Sequence, residues 1–193
     1  IADVYAASTK TNNTPSITEM KNIILESITL DAFVSSNNGN LISVFGAINL
    51  DILEGVEITE KERDSHLYTV YKSRNKNKGG DNLQEFKRAV YAYRNFRKFL
   101  LNNDSIIDHT YLWDLIVNPN TRLFETGVNV IIMEMTDDDV TGNVEVICPV
   151  SAYSTKFYNK KRPTILLIKQ GMFYEPIHVY VRMTKGSYDT PLL

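Results

Sequence analysis

The chain has 193 residues, of which 43% are hydrophobic and 23% are charged, so it has the composition of an ordinary globular protein with enough residues to bury a core. Its formal net charge of −2 provides no overall basic field that would attract nucleic acid or an acidic membrane surface. No run of about 18 apolar residues is present, which predicts no transmembrane helix and no membrane partner. The single cysteine, Cys148, excludes an intramolecular disulfide and a cysteine-based zinc site, and it favours a reducing compartment.

The chain begins without an initiator methionine or a signal-peptide pattern, so we expect residues 1–193 to be a single domain cut from a longer protein.

The N-terminal part of the chain predicts helical structure. Residues 16–28 predict a helix, because Ser16 and Glu19 have capping-box spacing and Pro15 suits a first helical turn. One face of that helix carries Ile17, Met20, Ile24 and Ile28.

The segments that follow alternate between short apolar runs and polar stretches. LDAF predicts a short helical turn, SSNNGN predicts a turn, and LISVF at residues 41–45 predicts a strand. HLYTVY at residues 66–71 is compatible with a short strand or a helix end. KSRNKNKGGDN at residues 72–82 is polar and contains two glycines, so we expect a flexible loop.

Two further helices are predicted before the chain changes character. A long helix should run from about residue 83 to residue 101, with Asp81 or Asn82 as its cap. Its apolar stripe consists of Leu83, Phe86, Val90, Tyr93 and Leu100, and is widened by Ala89 and Phe96. Residues 108–117, DHTYLWDLIV, predict another helix that ends at the sequence Asn-Pro-Asn.

The C-terminal part predicts strands. The segments are GVNVIIMEM (residues 127–135), VEVICPV (144–150), TILLIK (164–169) and MFYEPIHVYVRM (172–183). The apolar runs VIIM and ILLI indicate central strands that are covered on both faces. Short connections suggest an antiparallel meander. The predicted fold class is therefore α+β, with a helical N-terminal half packed on a mainly antiparallel sheet of about four strands.

The last predicted strand has two different faces. Alternation assigns one set of residues to the core, namely Phe173, Ile177, Val179, Val181 and Met183. Because Pro176 donates no backbone hydrogen bond, the strand should lie at a sheet edge or contain a bulge. Since an edge strand can pair with another chain, we expect protein interactions at the polar residues of the other face, Tyr174, His178, Tyr180 and Arg182.

Basic residues are concentrated in residues 72–98, a segment that contains nine basic residues and only two acidic ones. Aromatic residues alternate with the basic ones in YAYRNFRKF, a pattern that would serve phosphate contact and base stacking. The candidate nucleic-acid contacts, including three from a later loop, are Lys72, Arg74, Lys76, Lys78, Arg88, Arg94, Arg97, Lys98, Lys160, Lys161 and Arg162. A solvated face, or a face that pairs with the acidic segment at residues 51–64, is the favoured alternative.

Consecutive carboxylates occur at Asp137, Asp138 and Asp139, shortly after Glu134. They lie in a predicted turn, and the strand that follows lacks the lysine that restriction-type nucleases need, so a solvated turn is favoured.

The histidines and the cysteine show no catalytic or metal-binding pattern either. His66, His109 and His178 lack the spacing of paired metal ligands, and His109, beside Asp108, most simply belongs to a helix N-terminus. Cys148 lies inside a predicted strand and reads as a small buried hydrophobe. No glycine loop for phosphate is present. The sequence thus predicts no catalytic residue, no metal and no cofactor.

NVIIME followed by TILLIKQGMFYEPI gives the C-terminal third a resemblance to papain-like cysteine proteases of the ovarian-tumour (OTU) type. In that family a histidine follows the last hairpin turn, and an Asp-Gly-x-Cys motif at a helix start supplies the nucleophile. Phe173 and Tyr174 follow the turn here, and no cysteine precedes a helix. The resemblance therefore implies a relative that lacks the catalytic cysteine and histidine.

A second resemblance involves LWDLIVNPNTRLFETGVNVIIMEM, VICPVSAYSTKFY and TILLIKQGMFYEPI. These stretches are similar to segments of large, poorly characterised proteins of nucleocytoplasmic giant DNA viruses. The resemblance implies a viral origin, a location in host-cell cytoplasm or virion, and a role in virion or transcription assembly.

We therefore expect a non-catalytic interaction or structural domain of a larger viral protein, with other protein chains as its partners. One alternative is a nucleic-acid-binding domain that uses residues 72–98. The other is a hydrolase of papain-like or nuclease type with active residues partly outside this fragment.

Overall fold

The computed structural model describes residues 1–47, 49, 51–76, 83–121, 123–135, 144–147, 158–177, 179–182 and 188–192. The helices in these ranges are α1 (Ala2–Thr9), α2 (Ile17–Ser27), α3 (Leu30–Ser35), α4 (Asn40–Phe45), α5 (Asp51–Glu54), α6 (Glu60–Arg63), α7 (His66–Lys76), α8 (Gln84–Leu101) and α9 (His109–Val117). Short 3-10 turns lie at Ser36–Gly39 and Pro119–Thr121. The strands are β1 (Asn129–Met135), β2 (Val144–Ile147), β3 (Thr164–Gln170), β4 (Phe173–Pro176), β5 (Val179–Arg182) and β6 (Tyr188–Leu192).

The protein is α+β, as the sequence predicted, but the sheet is mixed. Its strand order is β2-β1-β3-β4, and β5 pairs with β6 in a separate two-stranded sheet. The predicted meander is wrong at one pairing, because β1 and β3 are parallel. Residues 136–163, which connect β1 to β3, exceed the roughly one dozen residues that a parallel crossover needs. The predicted fourth strand is also wrong in its length, since it is divided between β4 and β5.

One face of the four-stranded sheet packs against helices. Val130, Ile132 and Ile165 on that face are buried in the main core together with side chains of α2, α8 and α9. Ile131 and Leu166, their neighbours on the opposite face, are only half-buried. The predicted burial of the central strands is therefore confirmed on the helix-facing side, whereas the opposite face is only partly covered.

The long helix α8 joins the main core to a second, smaller cluster. Phe96 and Leu100 are buried in the main core, whereas Phe86 and Val90 are buried in the second cluster with Leu53 of α5. The predicted apolar stripe is thus confirmed. The predicted cap is wrong, because the N-cap residue is Leu83 and it makes no side-chain cap hydrogen bond.

The N-terminal capping box is confirmed at α2. The Ser16 side chain accepts from the backbone N–H of Glu19, and the Glu19 carboxylate accepts from the backbone N–H of Ser16. Met20 and Ile24 are buried as expected, but Ile17 is 78% exposed and does not belong to the core face. The sequence did not predict α1. Its residue Val4 is buried in the main core together with Met20 and Ile24 of α2.

The segment predicted as a strand at residues 41–45 is helical. It lies in α4, which follows a turn where Asn37, Asn38 and Gly39 have φ angles of 47°, 53° and 84°. These left-handed residues reverse the chain so that Leu41 is buried and Phe45 packs on the rings of α8. A short apolar run is ambiguous between strand and helix, and tertiary packing decides here.

Residues 66–76 form α7, so the strand alternative for residues 66–71 is wrong. Residues 72–76, which the sequence placed in a flexible loop, continue this helix, and residues 77–82 lie outside the described residues. The carboxylate of Asp31 accepts the backbone N–H groups of His66 and Leu67 at 3.0 and 2.8 Å. This remote carboxylate satisfies two otherwise free donors at the start of α7, a helix stabilisation that no local sequence pattern reveals.

In β4 the core-facing and outward-facing residues are the reverse of the prediction. Tyr174 packs against the main core, whereas Phe173 is 75% exposed. The register explains the inversion, because Tyr174 pairs with Lys169 and Pro176 pairs with Leu167, both on the helix-facing side of β3. The prediction of an edge strand at Pro176 is confirmed, since β4 is the last strand of its sheet.

Asp114 of α9 anchors the left-handed turn before α4. Its buried carboxylate accepts the backbone N–H of Asn37 at 2.7 Å. We expect Asp114→Ala to lower the free energy of unfolding by about 2 kcal/mol, because a hydrogen bond to a charged group is lost and a backbone donor is left unpaired. Urea denaturation measures this change. The matched control is Asp104→Ala, on the exposed turn after α8, which should change stability by less than about 0.5 kcal/mol.

Candidate ligand-binding cleft

A cleft of about 450 Å³ opens between the N-terminal helices, α9 and the helix-facing side of the sheet. Its lining is mostly aliphatic. Side chains from α1 and α2, from α9 and from three strands contribute, including Ala2, Met20, Ile24, Leu112, Trp113, Ile116, Val130, Ile132, Ile165, Leu167, Tyr174 and Pro176.

Strand alternation explains why the sheet presents an apolar floor to the cleft. Val130 and Ile132 are alternate residues of β1, and they pair with Ile165 and Leu167 of the parallel strand β3. Side chains at paired positions point to the same side of a sheet, so these four form one continuous apolar patch.

The next paired row along the same face is polar. Glu134 of β1 pairs with Lys169 of β3, and Lys169 pairs with Tyr174 of β4. The ammonium of Lys169 and the carboxylate of Glu134 form an ion pair. The apolar floor therefore ends at a row of charged and hydroxyl groups.

Asp108, His109 and Tyr174 form a hydrogen-bonded group at this polar end. The Tyr174 hydroxyl lies 2.8 Å from Nδ1 of His109 and donates to Oδ2 of Asp108 at 3.1 Å. The other carboxylate oxygen of Asp108 accepts the backbone N–H of Thr110 at 2.9 Å, so Asp108 also caps α9. Asp108, as the cap of α9, and Tyr174, on β4, together fix the position of the His109 imidazole.

Burial and neighbouring groups shift the pKa values of Tyr174, His109 and Asp108 in different directions. Burial raises the pKa of Tyr174 to about 12, helped by the neighbouring charge of Asp108. It also lowers the pKa of His109, although the Asp108 carboxylate opposes this change. For Asp108 burial acts to raise the pKa, but hydrogen bonds from Thr110 and Tyr174 and the nearby His109 outweigh it, and the pKa is lowered. A neutral imidazole therefore lies beside an ionised carboxylate at neutral pH.

Aromatic rings surround this imidazole. The ring of His109 meets those of Trp113 and Tyr174 edge-on, with centroid separations of 5.7 and 6.0 Å. Its side chain keeps 18% of its surface exposed. His109 is thus held rigidly while part of its ring stays accessible, which suits a group that contacts a ligand.

The candidate nucleic-acid residues of α8 are partly engaged inside the protein. Arg94 forms an ion pair with Glu62 at 2.7 Å and donates to the carbonyl of Glu57. Arg97 donates to the carbonyl of Leu25, at the end of α2. Both guanidinium groups hold neighbouring segments in place, and Glu62 lies in the acidic segment at residues 51–64.

The remaining basic candidates are distributed over several elements. Arg74 on α7 is exposed, as are Arg88 and Lys98 on α8. Lys72, also on α7, lies 5.9 Å from the ring centroid of Tyr68. Before β3, Lys160 and Lys161 are exposed, while Arg162 is half-buried beside Gly127. The side chain of Lys76 and the whole of Lys78 lie outside the described residues.

Of the four candidate interaction residues, Tyr174 lies in the cleft instead of on an exposed strand face. Tyr180 and Arg182 belong to β5, in the smaller sheet, and their side chains lie outside the described part, as does His178. The acidic turn at Asp137–Asp139 and Cys148 also lie outside it.

Sequence reasoning missed the group around His109. It identified Asp108 and His109 only as the start of a helix, and it assigned Tyr174 to an outer surface. The local signal was a pair of adjacent titratable residues, Asp108 and His109, at one helix start. Their partner Tyr174 is remote in sequence, so only the fold brings the three together.

Comparisons with protein-family models, with curated proteins and with solved structures found no match. Among the described residues, no group of three or more His, Cys, Asp or Glu side chains is placed to hold a metal ion. No helix in the described ranges is long and apolar enough to cross a membrane.

The lowered pKa of His109 predicts a pH-dependent stability. The unfolded chain protonates this histidine near its ordinary pKa of 6.5, whereas the folded chain does so only at lower pH, so stability falls as pH drops below about 6.5. We expect the free energy of unfolding, measured by urea denaturation between about pH 7 and about pH 5.5, to fall less in His109→Asn than in the wild type. Equal slopes in the wild type and in His109→Asn would contradict this role of His109.

The ion pair of Arg94 predicts a structural role for this basic residue. We expect Arg94→Gln to lower the free energy of unfolding by about 1–2 kcal/mol, because it leaves the largely buried Glu62 carboxylate without its partner. Lys98→Gln, an exposed change on the same helix, should alter stability by less than about 0.5 kcal/mol. Equal effects of the two substitutions in denaturant titrations would argue against the structural assignment.

Proposed function

We propose that this protein is a non-catalytic binding domain and that the cleft is its binding site, which takes a small ligand with an apolar body. The observation that carries the proposal is the shape and chemistry of the cleft. A cavity of about 450 Å³ with aliphatic walls ends at one fixed group of polar side chains. This combination of apolar walls and a few convergent polar groups is typical of ligand sites in proteins.

The floor of the cleft supports a binding role. Ile132, Ile165 and Val130 belong to central strands and are buried in the main core, so the site is built on rigid elements. A preformed apolar surface costs little conformational entropy when a ligand settles on it. The exposed Ile17 at the rim adds apolar surface that a bound ligand would cover.

The surroundings of His109 favour binding over catalysis. Among the described residues, its imidazole has hydrogen-bonding or ion-pair contact with Tyr174 and Asp108, and with no serine, threonine or cysteine side chain. A nucleophilic hydrolase needs such a side chain within reach of the base. Tyr174 is a poor nucleophile, since its pKa is raised to about 12.

The wider setting of this domain rests on sequence resemblance alone. A larger viral protein, a location in host-cell cytoplasm or virion, a role in virion or transcription assembly, and other protein chains as partners are parts of the proposal. Nucleic-acid binding has less support, because Arg94 and Arg97 are engaged within the protein.

Binding of simple apolar probes tests the proposal. We expect 2-naphthol and 2-methoxynaphthalene, whose shared ring system supplies the apolar body, to bind the wild-type protein in isothermal titration calorimetry. Leu167→Trp, which fills the floor of the cleft, should weaken both at least about ten-fold. The matched control is Leu166→Trp, an equally half-buried neighbour on the opposite sheet face.

Both variants are first checked by circular dichroism, so that loss of binding is not loss of fold. Absence of binding to the wild type, or equal binding to Leu167→Trp and Leu166→Trp, would refute the cleft as the binding site.

A further inference from the structure

The hydrogen-bonding pattern around Tyr174 constrains the proton positions in this group. The Tyr174 oxygen is approached by the backbone N–H of His109 at 3.3 Å, by Nδ1 of His109 at 2.8 Å and by Oδ2 of Asp108 at 3.1 Å. The backbone N–H is necessarily a donor, and an ionised carboxylate is necessarily an acceptor. The one hydroxyl proton of Tyr174 is therefore directed to Asp108.

This arrangement leaves only a lone pair of Tyr174 to face the imidazole. Nδ1 of His109 must then donate, and a second acceptor, Oδ1 of Asp108, lies 3.3 Å from the same nitrogen. In a neutral imidazole only one nitrogen carries a proton. Nε2 of His109 is consequently a hydrogen-bond acceptor.

Nε2 lies on the opposite side of the ring from these contacts. Within the part of the chain that the structure describes, no hydrogen bond to Nε2 occurs, while His109 itself lines the cleft. The cleft thus combines apolar walls with an acceptor that Tyr174 and Asp108 fix in one tautomer. An acceptor of this kind is complementary to a donor on the ligand.

The charged groups at this end of the cleft already have partners. Asp108 accepts hydrogen bonds from Thr110 and Tyr174, and Lys169 is paired with Glu134. Asp3 and Lys21 also line the cleft, and Lys21 donates to the carbonyl of Asn102 at 3.1 Å. A ligand head group at His109 therefore meets one neutral acceptor beside groups that are already hydrogen-bonded or ion-paired, which favours a neutral head group over an anionic one.

We propose, on the basis of the binding function proposed above, that the cleft selects neutral ligands that place a hydroxyl or N–H donor on Nε2 of His109 and an apolar body on Ile132, Ile165 and Leu167. The ligand class is that of apolar alcohols, phenols and N–H heterocycles. His109 is the specificity-determining residue, and Tyr174 is a positioning residue that holds its tautomer.

The groups facing His109 make this selection pH-dependent. They are Asp108 at the start of α9, Tyr174 of β4, Lys169 of β3 and Glu134 of β1. Burial lowers the pKa of His109, the Asp108 and Glu134 charges oppose this, and the Lys169 charge reinforces it. Once pH falls below that lowered pKa, Nε2 is protonated and becomes a donor, so a donor on the ligand no longer has a partner.

The two naphthalene probes provide a matched test of this selection. 2-Naphthol offers an O–H donor, whereas its methyl ether has the same apolar body without a donor. We expect the wild type to bind 2-naphthol about ten-fold more tightly at about pH 7.5, the effect of one net hydrogen bond. The preference should decline as the pH falls through the lowered pKa of His109, and in His109→Phe it should be close to one-fold at every pH.

The tautomer is measured independently of any ligand. Long-range proton–nitrogen correlation spectra of the nitrogen-15-labelled wild-type protein should show His109 protonated at Nδ1 and unprotonated at Nε2 near neutral pH. Tyr174→Phe, which removes the nearer of the two acceptors for Nδ1, should raise the Nε2-protonated fraction and reduce the preference for 2-naphthol. A merely structural role of Tyr174 would change neither.

The possible results separate the two proposals. Equal affinity for both probes, with binding still blocked by Leu167→Trp, overturns the donor selection and leaves the binding function standing. An Nε2-protonated His109 in the wild type also overturns the donor selection. No binding of either probe overturns the binding function and the selection together.

Discussion

The parallel pairing of β1 with β3 is the constraint on which the rest of the structure depends. It aligns Val130 and Ile132 with Ile165 and Leu167, so that one side of the sheet offers a continuous apolar surface to the helices. The same register places Glu134 beside Lys169 and, through β4, places Tyr174 on the helix-facing side. Because strand side chains alternate, a shift of one residue would exchange the faces and abolish both the apolar floor and its polar end.

The polar end of the cleft illustrates how a partly buried hydrogen-bonded group acquires a defined chemistry. Asp108 caps α9 and is therefore fixed by the helix start, and Tyr174 is fixed by the strand register. The imidazole of His109 lies between them and has little freedom to choose its tautomer. Low local polarity strengthens these hydrogen bonds and also keeps the imidazole neutral at physiological pH.

The long helix α8 explains why a strongly basic segment need not be a nucleic-acid surface. Arg94 reaches Glu62, whose carboxylate also accepts the backbone N–H of Thr59 in a capping box. Arg97 donates to the last turn of α2, and the hydroxyl of Tyr93 donates to the carbonyl of Ile28 beside it. Positive charge here satisfies the ends of neighbouring helices, where free carbonyl groups and acidic residues lie.

The sequence by itself determined the fold class, the capping box of α2, the apolar stripe of α8, the presence of the helix α9 and the edge position of Pro176. These features depend on residues within one or two turns, or on strong periodicity. Tertiary structure decided the parallel pairing of β1 and β3, the helical state of residues 41–45 and the inward orientation of Tyr174. It also decided the site, because Asp108 and His109 meet Tyr174 only through the packing of α9 on the sheet, and such a contact between distant segments leaves no local pattern in a single sequence.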